Sequence, residues 1–226
     1  MNTVAVILLS YNRPRMLREA LATIPPGTEL IVTDDGSDFD VQAVVRAAFP
    51  DAQFVLAPPL TIDERLHTPR LGRLINQALG RVQAPAVTYL CDDDLFAPGW
   101  LDAAAGFFAR NPGEHWVRGT WYQFQDGQTP GQEVCPLDGR QLTTGNFAHA
   151  MACVHGCGIR WNEATIACHD DVFLWDVARH HNTYALPHGG AVAGWRRLHA
   201  HNALGFTAGA NYAPHARELF VGGFLE

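Results

Sequence analysis

The chain has 226 residues, which is enough for a domain with a sizeable hydrophobic core. Its hydrophobic fraction of 47% and aromatic fraction of 10% exclude a chain that is disordered throughout. A net charge of −7 argues against a dedicated nucleic-acid binder, because such proteins use basic surfaces to displace counterions from phosphates.

The sequence predicts no membrane-spanning segment and no secretory signal peptide. It has no run of about 18 or more apolar residues, so we expect no transmembrane segment. Residues 1–3 lead directly into an apolar run and not into a charged signal peptide. These features predict a cytoplasmic protein, with a peripheral membrane role left open. All 16 basic residues are arginines, which excludes a Schiff-base or phosphate-loop lysine.

Short apolar runs alternate with helical patterns over the first ninety residues. Residues 4–9 form a continuous apolar run, typical of a strand buried on both faces of a parallel sheet. Further strands are predicted at residues 30–32, 54–56 and 86–90, and helices at residues 14–24, 41–49 and 71–82. This β-α-β-α-β-α-β order predicts a parallel sheet with right-handed crossovers.

The second half of the chain is less regular. From about Gly119 the pattern loosens, and residues 125–132 are predicted to form a hairpin or loop. Helical patterns return near residues 172–175 and 213–219. Without an internal repeat or an obvious linker, the sequence predicts a single domain over residues 1–226.

Three polar clusters each follow a predicted strand: Ser-Tyr-Asn-Arg at residues 10–13, Asp-Asp-Gly-Ser at 34–37 and a triple aspartate at 92–94. Ligands of parallel sheets bind at the carboxyl ends of the strands, so we expect these clusters to converge. Neither GxGxxG nor GxxxxGK[ST] is present, so a dinucleotide fold or P-loop is not supported. Mg²⁺ or Mn²⁺ held by the aspartates would neutralise a bound diphosphate instead.

The cysteines offer a weaker metal hypothesis. A zinc site could be assembled from Cys153, His155, Cys157, Cys168 and His169. Their spacing matches none of the usual structural zinc patterns, so we favour reduced thiols instead.

Together with His169-Asp170-Asp171, these clusters resemble the motifs of family 2 glycosyltransferases of the GT-A fold. The stretch "ERLHTPRLGRLINQALGRVQAPAVTYLCDDDLFAPGWL", residues 64–101, is especially similar to the bacterial spore-coat polysaccharide glycosyltransferase of that family. The resemblance covers residues 3–110 well and 160–200 loosely. It implies a Rossmann-like α/β sheet flanked by helices, with a nucleotide-sugar half at 1–110 and a smaller, less regular acceptor half at 111–226.

The resemblance implies roles for the first two clusters. Tyr11 would stack on the nucleobase, with Ser10 and Asn12 shaping its pocket. Asp35 would accept the imide hydrogen of uracil, with Asp34 beside it. A simpler interpretation of these aspartates, an Asx turn before the second helix, also fits Gly and Ser at the next two positions.

The resemblance also implies a diphosphate and metal site. Arg65 would contact the base or the diphosphate, and Asp92 would bind the ribose hydroxyls. Asp93 would hold the metal, but Asp94 fits the broader DxD pattern, so the choice between them stays open. His199 would reach the metal or the diphosphate, although a solvated or core histidine fits equally well. Beside it, Arg196 or Arg197 would contact phosphate.

The catalytic base is implied to lie in the second acidic pair. Inverting sugar transfer needs a carboxylate that takes the proton from the acceptor hydroxyl. The general family pattern favours Asp171, whereas alignment through the following Phe-Leu-Trp favours Asp170. An N-cap pair at a helix start is the structural alternative.

The resulting prediction is a metal-dependent, inverting glycosyltransferase. Its donor would be a nucleoside-diphosphate sugar, most simply UDP-linked, and its acceptor a glycan, a lipid-linked or a small-molecule hydroxyl. One alternative is a binding module for nucleotide sugar or glycan without turnover. Another is a sugar nucleotidyltransferase, which would normally need a glycine-rich phosphate loop after the first strand.

Overall fold

The computed structural model describes residues 3–130, 144–164 and 188–199 as a mixed sheet with helices on both faces. The strands are β1 Val4–Ser10, β2 Leu30–Asp34, β3 Gln53–Leu56, β4 Ala86–Cys91, β5 Leu95–Phe96, β6 Trp116–Gln125, β7 Phe147–Ala150 and β8 His188–Leu198. The helices are α1 Pro14–Leu21, α2 Val41–Arg46, α3 Ile62–His67, α4 Leu71–Leu79, α5 Trp100–Arg110 and α6 Ala152–His155. Within these residues the strand order is β3-β2-β1-β4-β7-β6-β8-β5.

The first half of this sheet confirms the predicted parallel arrangement. β1 runs parallel to β2 and to β4, and β2 runs parallel to β3. Ser10 pairs with Asp34 at one side of β1, and Leu9 pairs with Cys91 at the other. The carboxyl ends of β1, β2 and β4 therefore lie side by side.

The second half is more regular than the sequence predicted. β6 is a ten-residue strand that continues through Gly119, where the pattern loosens. It pairs antiparallel with β7 and parallel with β8, and β5 closes the order by pairing with β8. Because β6 mixes Gly, Gln and aromatic residues, its alternation is too irregular to be recognised without its partners. The helical patterns near residues 172–175 and 213–219 lie outside the described residues.

The short link between β4 and β5 shows that this sheet is curled. In a flat sheet, four strand spacings of about 4.8 Å would separate β4 from β5 by about 19 Å. The four residue steps from Cys91 to Leu95 span at most about 14 Å. The sheet must therefore bend back on itself through β7, β6 and β8, and the triple aspartate lies in the link that joins β4 to β5.

Apolar side chains pack on both faces of the sheet. One cluster joins α4 to the odd-numbered side chains of β1 and to Trp161, and the other joins α1, α2 and α5 to the even-numbered ones. Trp100, Trp116 and Trp121 are also buried in these clusters. These tryptophans therefore belong to the core.

Candidate active site

The three polar clusters meet at one edge of the sheet, as the sequence predicts. The main-chain N–H of Asp35 donates to the Ser10 carbonyl at 3.0 Å, and that of Asp92 donates to the Leu9 carbonyl at 2.8 Å. The N–H of Tyr11 donates to Asp92 Oδ2 at 2.7 Å. Each turn therefore fixes the position of its neighbour.

Asp92 faces the turn that follows β1. Its Oδ1 lies 2.8 Å from a guanidinium nitrogen of Arg13, and its side chain is 1% exposed. Burial raises the pKa of Asp92 to about 7, although the charge of Arg13 and the hydrogen bond from Tyr11 oppose this rise.

Asp93 faces the end of β8. His199 Nε2 lies 3.0 Å from Asp93 Oδ2, and Arg13 lies 3.6 Å from the same oxygen. Burial alone would raise the pKa of Asp93, but the hydrogen bond from His199 and the charge of Arg13 lower it overall. Asp93 is therefore the member of the triplet most strongly held in its ionised form.

Asp94 is bound by the main chain of β8. Its Oδ1 accepts the main-chain N–H of Arg197 at 3.0 Å. Burial and the nearby charge of Asp93 raise the pKa of Asp94 well above its usual value. Arg13 is shared by Asp92 and Asp93, but each of the three adjacent acidic side chains also has a protein partner of its own.

Asp93, Asp94 and Cys91 can together surround a cation. One donor atom from each of these residues lies within 4.8 Å of the other two. Burial raises the pKa of the Cys91 thiol well above its usual value, so the neutral sulfur is a poor ligand for a hard cation. The two carboxylates are the oxygen donors that Mg²⁺ and Mn²⁺ prefer. The residues present therefore fit the predicted cation, and Cys91 was not predicted from the sequence.

The turn after β2 is linked to the turn after β1 by a chain of hydrogen bonds. The main-chain N–H of Asn12 donates to Ser37 Oγ at 2.9 Å, and this hydroxyl donates to Asp34 Oδ1 at 2.5 Å. The main-chain N–H of Ser37 donates to Asp34 Oδ2 at 3.1 Å. The Asx-turn interpretation therefore describes Asp34, whose carboxylate is used within its own turn.

Asp35 is held by a residue that the sequence analysis did not select. The guanidinium of Arg70 pairs with its carboxylate and donates to its main-chain carbonyl. Arg70 precedes α4 and is 5% exposed, while the Asp35 side chain is 16% exposed. An arginine before an apolar helix is a weak signal in sequence, because most arginines there are solvated.

Comparison with known proteins identifies the family of this chain. The model of the family described as "Glycosyl transferase family 2" matches residues 5–157. The chain belongs to glycosyl transferase family 2. This membership confirms the resemblance seen in the sequence and the predicted enzyme class, a glycosyltransferase.

A curated relative is Protein CgeD of Bacillus subtilis (strain 168), which is 31% identical over 114 residues. The match covers 48% of this chain and 27% of CgeD, so the chain spans about a quarter of that relative's length.

Two solved structures share the fold. S. aureus TarS 1-349 in complex with UDP-GlcNAc has a TM-score of 0.68 at 16% identity, covering 99% of this chain and 68% of that one. Mannosyltransferase PcManGT from Pyrobaculum calidifontis, in complex with GDP-Man and Mn²⁺, has a TM-score of 0.64 at 17% identity. That match covers 88% of this chain and 58% of that one. Together with the family match, these similarities confirm the predicted GT-A α/β fold.

Several predicted residues of this family 2 site can be located. Tyr11 and Asn12 are half-buried at the sheet edge, and Asn12 has a left-handed backbone with φ of 49°. The Ser10 hydroxyl is buried and, within the described residues, has no hydrogen-bond partner. Arg65 lies on α3, with its side chain outside what is described. Asp170 and Asp171 also lie outside the described residues.

Arg13, Arg70 and Cys91 are the residues that sequence reasoning missed. Arg13 lies within the quoted Ser-Tyr-Asn-Arg motif, and that position is the signal that could have identified it. Cys91 directly precedes the triple aspartate, and that position is its signal, whereas only the fold shows that Arg70 lies beside Asp35.

No helix within residues 3–130, 144–164 and 188–199 is long and apolar enough to cross a membrane.

Proposed function

We propose that this protein is a metal-dependent, inverting glycosyltransferase that uses a nucleoside-diphosphate sugar, most simply a UDP-sugar. The observation that carries the proposal is the contact of Asp92 and Asp93 with the turn after β1, at the carboxyl edge of the sheet. Titratable groups with shifted pKa values gathered at a strand edge are typical of active sites. The UDP-GlcNAc and GDP-Man complexes of proteins with the same fold support this choice of donor class.

The base and ribose would be recognised by the first two turns. Asp35, held by Arg70, supplies a carboxylate that accepts the imide N–H of uracil. Tyr11 would stack on the base, with Ser10 and Asn12 completing the pocket and Asp34 stabilising the turn. Asp92 would accept hydrogen bonds from the ribose hydroxyls, and Arg65 would contact the base or the diphosphate.

Asp93 and Asp94 would hold Mn²⁺ or Mg²⁺, and His199 would position Asp93 or join it at the cation. The bound cation would offset the negative charge of the diphosphate. Arg13 lies beside the same carboxylates, so its positive charge contributes to this offset. Of the two arginines in β8, Arg196 is partly exposed and suits phosphate contact, whereas Arg197 is buried against carboxylates of the protein.

Asp171 is proposed as the catalytic base, with Asp170 as the alternative. A base in this role removes the proton from the acceptor hydroxyl while its oxygen attacks the anomeric carbon from the face opposite the leaving diphosphate. The C–O bond to the acceptor forms as the bond to the diphosphate breaks, which inverts the anomeric centre. The acceptor is proposed only by class, as the hydroxyl of a glycan, a lipid-linked sugar or a small molecule.

The test is a calorimetric titration of UDP, GDP and dTDP without a cation, with Mn²⁺ and with Mg²⁺, followed by a donor screen that measures release of nucleoside diphosphate. We expect Mn²⁺-dependent UDP binding that is lost in Asp93→Asn and kept in Asp102→Asn, an exposed site on α5. Absence of binding to the folded wild-type protein with either cation would overturn the proposal. Tight UDP binding without any release across donors and acceptors would identify a binding module instead.

A further inference from the structure

Arg197 contacts the loop of the proposed metal site through both its main chain and its side chain. Its main-chain N–H donates to Asp94 Oδ1, and its Nε donates to the main-chain carbonyl of Asp93, each at 3.0 Å. That carbonyl belongs to the peptide that joins the two proposed ligand residues. Arg197 therefore holds both the peptide between Asp93 and Asp94 and the carboxylate of Asp94.

The other end of the guanidinium is anchored at two places far along the chain. One terminal nitrogen lies 2.7 Å from Asp126, just after β6, and the other lies 2.5 Å from Glu19 on α1. The guanidinium also lies over the ring of Phe124, 4.8 Å from its centre. The Arg197 side chain is 2% exposed, so these partners compensate a charge that has almost no contact with water.

The strand that carries Arg197 is itself fixed against the loop. β8 pairs with β5 directly after the triple aspartate, with Leu95 opposite Trp195. At Gly194 an added Cβ would lie 2.2 Å from the Leu95 carbonyl, so the two strands approach more closely than a side chain would permit. This close approach brings β8, and with it Arg197, against the loop that carries the Asp93 and Asp94 side chains.

We propose that Arg197 is a positioning residue that sets the cation affinity of the loop at residues 93–94. The inference rests on the proposed function, because it takes these aspartates as the cation ligands. A guanidinium has donors in a fixed planar fork, and here Nε and both terminal nitrogens have separate acceptors. A lysine at this position keeps the charge but has only one nitrogen, so it cannot hold the loop and both anchors in the same geometry.

Arg15 provides a matched control. It contacts the same two anchors, Glu19 and Asp126, each at 2.7 Å, but its side chain is 58% exposed and no contact to the loop is among those described. Arg15→Gln therefore removes a cation from the outer part of the cluster and leaves the bonds between Arg197 and the loop in place.

The experiment measures Mn²⁺ affinity by electron paramagnetic resonance without nucleotide, and UDP affinity at saturating Mn²⁺ by calorimetry. Loss of a group that orients metal ligands typically weakens metal affinity by about 10–100-fold. We expect Arg197→Lys to weaken Mn²⁺ binding by about that factor and to change UDP affinity at saturating Mn²⁺ much less. We expect Arg15→Gln to change neither affinity by more than about twofold. Wild-type Mn²⁺ affinity in a folded Arg197→Lys variant would overturn the inference.

A second variant keeps the test decisive if Arg197→Lys does not fold. Glu19→Gln combined with Asp126→Asn retains Arg197 but removes the two carboxylates that hold the far end of its guanidinium in place against the loop. We expect weaker Mn²⁺ binding than in the wild type, and an unchanged affinity in this variant would overturn the inference. Failure of the wild-type protein to bind Mn²⁺ or UDP would instead count against the proposed function.

Discussion

The guanidinium of Arg70 pairs with the carboxylate of Asp35 and donates to the main-chain carbonyl of the same residue. It also donates to the Pro58 carbonyl at 2.8 Å, which ties the turn after β2 to the segment after β3. Because Arg70 is buried, its charge requires these partners. The carboxylate proposed to recognise the base is thus held in place from within the protein.

We expect Asp35→Asn to weaken UDP binding by roughly 10–100-fold, because a hydrogen bond to a charged group contributes about 1.5–3 kcal/mol. Calorimetry with UDP at saturating Mn²⁺ provides the measurement. Asp40→Asn is the control, since it changes the same charge on the same turn and asparagine caps α2 as well as aspartate does. Equal UDP affinity in the two variants would show that Asp35 does not contact the base.

We expect both Asp93→Asn and Asp94→Asn to lose Mn²⁺ affinity. Removing a ligand should exceed the roughly 10–100-fold effect of removing a group that only orients ligands. Mn²⁺ titration followed by electron paramagnetic resonance, with Asp102→Asn as control, measures each loss. If one variant binds Mn²⁺ like the wild type, that aspartate is not a ligand, and the comparison settles which position of the triplet holds the cation.

The first half of the fold was predictable because its signals are local. Buried parallel strands are continuous apolar runs, and β1, β2 and β4 each begin within two residues of their predicted start. The rule that ligands bind at the carboxyl ends of parallel strands then placed Asp35 and Asp92 at one edge without any coordinates.

The contacts that hold the site were not predictable, because their partners are distant in sequence. Asp93 and His199 are 106 positions apart, and Glu19 and Arg197 are 178 apart. These contacts depend on the pairing of β8 with β5 and β6. The residue pattern of a single strand does not specify its partner strands. Helices α3 and α6 and the two-residue β5 escaped prediction because such short elements carry little periodicity. The eleven-residue helix α5 was not predicted either.

Substitution of Gly36 should reduce stability through both backbone strain and steric overlap, and comparison with Gly27 separates the two contributions. Gly36 has φ of 80°, and an added Cβ would lie 2.7 Å from the Pro58 carbonyl oxygen. Gly27 has φ of 77° but open space around it. We expect Gly27→Ala to lose about 1 kcal/mol of unfolding free energy from backbone strain alone, and Gly36→Ala to lose about 1–3 kcal/mol more from overpacking.

Urea denaturation of the two alanine variants measures this difference, and UDP calorimetry adds a functional readout. Because Gly36 follows Asp35, we expect weaker UDP binding only in Gly36→Ala. Equal losses of stability in the two variants would show that the segment at Pro58 moves to accommodate the methyl group.

The pH dependence of stability should reveal the buried imidazole of His149. Its Nδ1–H donates to the Ala150 carbonyl at 3.1 Å, so Nε2 accepts from the Tyr89 hydroxyl at 2.7 Å. Trp161 Nε1 in turn donates to that hydroxyl at 3.0 Å. Burial lowers the pKa of His149 to about 4, from 6.5 in the unfolded chain. The neutral imidazole is therefore the form that the folded protein requires.

The sign of the effect follows from proton binding. Between pH 6.5 and 4 the unfolded chain protonates His149 while the folded protein does not, so stability is retained above this window and falls as the pH decreases through it. The loss approaches roughly 3 kcal/mol by pH 4, because each pKa unit corresponds to about 1.36 kcal/mol.

Urea denaturation at several pH values should show a shallower slope of unfolding free energy against pH for His149→Gln than for the wild type. His67→Gln, at a histidine whose side chain is 66% exposed, should keep the wild-type slope. Identical slopes for all three proteins would show that His149 is protonated equally in the folded and unfolded states.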